Sequence, residues 1–81
     1  MGKGGKLLRD MRNNPRDRRI DDVLTIARRF GIEVRNPRGS HVVLFHGAVA
    51  DILSIPARKP VKPVYIRKLV DMIDRIEGKD E

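Results

Sequence analysis

The chain has no cysteine and no tryptophan, and its 81 residues include one tyrosine, two phenylalanines and two histidines. Without thiols, neither a disulfide framework nor a thiolate metal site can form. Two histidines with no cysteine are a poor basis for a zinc centre. No pair of carboxylates stands out, and Asp51 is isolated in the sequence. No apolar run approaches the ~20 residues that cross a bilayer. No amphipathic segment joins a basic face to bulky Trp or Phe anchors, so no membrane partner is expected. The opening "MGKGGK" has no apolar segment behind it and is not read as a secretory signal, which leaves the cytoplasm as the expected location. "GKGG" precedes no strand–helix unit, so it is not a phosphate-cradling loop. No metal and no small-molecule cofactor is expected.

Positive charge is plentiful. Eighteen Lys and Arg against eleven Asp and Glu give a formal net charge of +7. Positions 1–35 hold ten basic and five acidic residues, and 36–68 hold six basic residues and Asp51 as the one acid. Positions 69–81 reverse the sign, with two basic and five acidic residues. A basic body with an acidic tail points to a polyanionic partner, most often nucleic acid. The length suits one domain with a thin core.

Hydrophobic spacing supplies the elements. Lys6 to Asn13 reads as a short helix with Leu7, Leu8 and Met11 on one side, after a flexible "GKGG" and before "NNP". Ile20, Val23, Leu24, Ala27 and Phe30 form a helical stripe. Asp17 is its expected cap, Asp21 and Asp22 lie in its first turns, Arg28 and Arg29 in its last, and Gly31 is its left-handed stop. Ile32–Val34, His41–His46 and Asp51–Pro56 read as three short strands linked by "NPRG" and a reversal at Gly47. After the proline-broken "ARKPVKP", Pro63 opens a helix with the stripe Ile66, Leu69, Val70, Ile73 and Ile76, closed by Gly78. The fold class is therefore α+β: a two-layer α-β-β-β-α core over 18–77 with a three-stranded antiparallel sheet and helices on one face. An extension at 1–15 carries the short leading helix, and 78–81 is a tail.

Strand alternation assigns the faces. Val42, Leu44, Leu53 and Ile55 can meet the helices. His41, Val43 and Phe45 then look the other way, and Val43 with Phe45 makes an apolar patch. Either the leading helix folds over it or a protein partner does.

At "RGSHVVLF" followed by "LSIP" the chain resembles the HicA toxins, small ribonucleases encoded beside a HicB antitoxin. The match is Gly39-Ser40-His41, an apolar strand, a strand ending in Ile55-Pro56, a basic loop and a final amphipathic helix, over roughly Ile20 to Ile76. "KPVYIRKLV" is similar to the variant with an N-terminal extension. The resemblance implies a double-stranded-RNA-binding-like fold, cleavage of messenger RNA, a catalytic histidine at His41, no metal, and silencing by a HicB-like antitoxin. One departure is plain: many members carry a second histidine two residues after the proline of the third strand, and here that position is Arg58.

RNA is cut without metal when its 2′-hydroxyl attacks the adjacent phosphate, which needs a base, an acid and charge for the phosphoryl oxygens. Imidazole titrates near the working pH and suits either proton task, so His41 is the candidate. Gly39 would let the backbone approach a phosphate and tolerate unusual dihedrals, and Ser40 would offer a hydroxyl or its N–H. Arg38, Arg58, Lys59 and Lys62 are candidate phosphate contacts. Each has a plainer reading: a surface histidine, turn residues, a solvated basic loop. His46 lies five residues beyond His41, about 16 Å along a strand and on the opposite face, so it reads as a turn residue. Tyr65 reads as helix packing. The leaving-group acid is left among water, a cation and His41 itself. Two functions stand: an RNA endonuclease toxin, or a non-catalytic RNA-binding module of the same fold, with a protein-interaction domain as a third.

Overall fold

Two patterned helices and a hairpin-linked sheet account for most of the structure, a computed structural model that describes residues 3–78. The order is α1 (Lys3–Asn13), α2 (Ile20–Arg29), β1 (Glu33–Arg35), β2 (His41–His46), β3 (Val49–Pro56) and α3 (Pro63–Ile76). The strands form one antiparallel sheet in the order β1-β2-β3. This is the expected α+β architecture. Residues 79–81 of the expected tail lie outside the described residues.

Local chemistry sets the helix limits. Gly31 at φ +69° ends α2 in a Schellman motif, with Ile32 N–H donating to Ala27 O at 2.9 Å and Gly31 N–H to Arg28 O at 3.3 Å. Pro63 is at the first turn of α3, and Gly78 (φ +72°) follows its C-cap. The cap expected from Asp17 is not made. Arg19 is the N-cap of α2, and its N–H donates to the Asp22 carboxylate at 3.1 Å. Asp17 is two residues too early and left-handed itself (φ +58°), inside the turn that delivers the chain to the helix. α1 begins at Lys3, so Lys3 to Gly5 are helical where a flexible start was expected.

The core lies between the helices and one sheet face. Val42, Leu44 and Ile55 are fully buried, and Leu53 packs at the margin. The register explains this grouping: Val42 faces Ile55, and Leu44 faces Leu53 and Val34. From α2 come Val23, Ile26 and Ala27, and from α3 Ile66, Leu69, Val70, Met72 and Ile73. Leu8 and Met11 join the same cluster, so the extension is part of the core. β3 starts at Val49, two residues before the expected Asp51, because the register slips between Leu44 and His46 and adds two residues to β3. A bulge breaks the alternation from which a strand start is read.

α1 packs chiefly against α2 and α3, with Leu8 and Met11 among the side chains of the inner layer. It does not fold over Val43 and Phe45. Those two are half-buried on the opposite face, where the Arg35 guanidinium stands 5.0 Å from the Phe45 ring centroid, within cation–π range.

Candidate functional site

The site starts with the turn before β2. Asn36 is left-handed (φ +52°), and Gly39 N–H donates to Asn36 O at 2.9 Å, closing Asn36-Pro37-Arg38-Gly39. A Cβ at Gly39 would come within 3.2 Å of the Asn36 Cβ. Gly39 thus sits in a tight turn where a side chain would crowd Asn36, and the left-handed residue of that turn is Asn36. Ser40 O accepts from Ala57 N–H at 2.8 Å, extending the β2–β3 ladder one step past the strand. His41, opposite Pro56, opens β2 with its side chain exposed. Its Nδ1 stands 3.4 Å from Ser40 Oγ. When Nδ1–H donates to Ser40, Nε2 is the nitrogen that carries the lone pair.

The wall across from His41 comes from the loop between β3 and α3. Arg58 N–H donates to Pro56 O at 2.9 Å, turning the chain back at once. Val61 anchors the loop, fully buried and donating its N–H to Arg18 O at 2.8 Å. Lys62 is the N-cap of α3, and Tyr65 lies in the first turn. Ser40, His41, Pro56, Arg58, Lys62 and Tyr65 line one cleft of about 370 Å³. The start of β2 and the stretch from the end of β3 to the first turn of α3, some fifteen residues further on, thus meet at one rim of the sheet.

Not every expected residue is there. Arg38 lies along α2 instead, in a depression with Ile20, Asp21 and Arg28. Lys59 faces the other side of its loop, beside Asp17 and Arg19. Consecutive residues of a sharp loop diverge, and composition does not reveal this. Tyr65, read from sequence as packing, has both roles: it packs on the core margin and lines the cleft. Its position three residues after the cap of α3 is the signal that could have found it. His46, expected in the turn, is instead the last residue of β2, paired with Val49, and it braces the turn that follows: its Nδ1 accepts from Ala48 N–H at 2.9 Å.

Electrostatically the cleft is one-sided. Among the described residues, none of Arg58, Lys59 and Lys62 is in an ion pair. The first turn of α3 has no acidic residue, so the positive end of its macrodipole adds to the cations. Nowhere among the described residues do three or more His, Cys, Asp or Glu side chains gather. No described helix is long and apolar enough to cross a membrane. No family model matches the chain, and comparisons with curated proteins and with solved structures return no match.

Proposed function

We propose that the chain is an RNA endonuclease of the HicA toxin type, with a double-stranded-RNA-binding-like fold, cutting messenger RNA without metal and held in check by a HicB-like antitoxin. One observation carries the reading: an exposed imidazole, His41, shares a cleft with Arg58, Lys62 and Tyr65, and with no carboxylate. That set suits a phosphodiester and not a metal ion.

In this reading His41 removes the proton of a ribose 2′-hydroxyl. The 2′-oxygen bonds to the adjacent phosphorus and the P–O5′ bond breaks, giving a 2′,3′-cyclic phosphate and a 5′-hydroxyl. Arg58 and Lys62 offset charge on the phosphoryl oxygens. Lys62 and the Tyr65 hydroxyl are the groups able to protonate the departing O5′. Ser40 orients the ring through Nδ1. An antitoxin would silence the chain by covering His41 and the neighbouring Val43–Phe45 strip.

A second reading has one observation of its own. His41 is the only imidazole in the cleft, and Arg58 holds the place of the family's second histidine. A non-catalytic RNA-binding module would need no second proton carrier, since arginine does not exchange protons near neutral pH. End-group analysis separates the two. Purified chain incubated with messenger RNA and a chelator is expected to leave 2′,3′-cyclic phosphate and 5′-hydroxyl ends. Intact RNA that is nonetheless bound favours the module, and 5′-phosphate ends lost on chelation contradict both.

A further inference from the structure

We propose that Arg16 and Arg19, in the linker between α1 and α2, form a second strip of RNA-phosphate contacts beside the His41 cleft, so that a long RNA is gripped on both sides of the loop at 57–62. The inference rests on the RNA-binding reading above and extends it to a segment that the family resemblance does not cover.

Placement carries the argument. A single backbone pairing ties the linker to the basic loop: Arg18 and Val61 form an isolated antiparallel bridge, with Val61 N–H on Arg18 O at 2.8 Å. Val61 is fully buried, so this join is fixed from inside the protein. On one side of the joined loop lies the cleft of His41, Arg58 and Lys62. On the other lies a depression lined by Asp17, Arg19, Lys59 and Pro60. Residues some forty positions apart in sequence thus add their charge to one ridge.

The linker cations are also unspent. Arg19 lines the depression, and Arg16 precedes Asp17 in the same linker; both are exposed, and among the described residues neither is in an ion pair. Arg18 is different: its Nε donates to Asn14 O at 3.2 Å, which holds the linker turn. Asp17 is the one acid in the depression, and it too is outside any ion pair among the described residues. Like charges held together without partners repel, and a polyanion crossing them relieves the repulsion. Arg and Lys matched to phosphates release counterions, which makes the number of contacts measurable.

The experiment is RNA affinity against salt concentration, using a single-stranded RNA of some twenty nucleotides in a His41→Ala background so that the RNA survives. The pair Arg16→Gln/Arg19→Gln should reduce the log–log salt slope by about 1.4 and weaken binding roughly ten- to thirty-fold at 0.1 M salt. The control pair Arg28→Gln/Arg29→Gln removes the same net charge about 13 Å away, at the far end of α2, and should change the slope far less. Asp17→Asn, equally at home in a left-handed turn, should tighten binding several-fold. Thermal melts of each variant, coinciding with that of the parent, separate lost contacts from lost structure. Equal effects of the two pairs would reduce the strip to net charge and overturn the inference. So would an unchanged slope in Arg16→Gln/Arg19→Gln while the parent still binds RNA. Absence of RNA binding in the parent is a different outcome and removes the functional reading itself.

Discussion

The two ends of α3 treat charge in opposite ways. Near its C-terminus, Asp74 takes a two-pronged hydrogen bond from Arg12 of α1 at 2.7 and 2.8 Å. Arg75 spans Asp51 of β3 at 2.9 Å and Asp71 of its own helix at 3.3 Å. At the N-terminus, Lys62 and its neighbours Arg58 and Lys59 have no ion-pair partner among the described residues. Paired charge there ties α1 to the helix, and an exposed pair reaches across to β3. Unpaired charge here surrounds an imidazole. The same residue types are paired at one end and stand unpaired beside the cleft at the other, among the described residues.

Disrupting the helix that joins the ends should have the largest effect. Leu69 is fully buried between them, and Leu69→Ala should cost ~2–5 kcal/mol in chemical denaturation, removing both behaviours together. A loss confined to one end would mean the ends are independent.

Neutralising the cleft should separate them. Arg58→Gln/Lys62→Gln should flatten the salt dependence of RNA binding by about 1.4 in log–log slope while leaving the melting midpoint unchanged, since neither side chain is holding another. A fall in stability equal to that of a core variant would contradict the contrast.

The mirror experiment is Arg12→Ala. It should lower stability by about 1 kcal/mol and leave RNA affinity alone. The hydrogen bond from Arg12 to Asp74 raises the pKa of the guanidinium above its usual value. Being raised, its contribution is complete at every pH below that usual value and is lost only as pH climbs through the folded one, so between pH 5 and 9 the cost of Arg12→Ala through this group should stay flat. Asp51→Asn comes last. Its side chain is 78% exposed and Arg75 keeps Asp71, so its effect should be too small to separate from zero.

What could be read from sequence was what local chemistry decides. The limits of β2, the stops at Gly31 and Gly78, the start at Pro63 and the inner face of Val42, Leu44 and Ile55 follow from period and turn residues. Asp17 was misjudged as a cap because caps are chosen by backbone geometry, and that residue is left-handed two positions early. Val61 left no trace in "KPVKP", where prolines erase any period, yet it is the anchor that shapes the cleft. Ile26, fully buried, fell outside the stripe read for α2, whose covered face is wider than that stripe and takes in Val23, Ile26 and Ala27 together. His41 was visible as the opening residue of an apolar strand. That Tyr65 would join it while Lys59 would not depends on which way the six-residue loop at 57–62 turns, and Arg38 is carried off by the turn before β2; only tertiary contacts decide either.

The most direct test measures cleavage and affinity side by side, on the same RNA, for the native chain and His41→Ala. Cleavage should fall by at least ~10²-fold, the usual worth of a positioned proton-transfer group, with the dissociation constant unchanged within about twofold. A variant that still cuts at the native rate, or one that loses binding in proportion to cutting, would contradict the central role given to this imidazole.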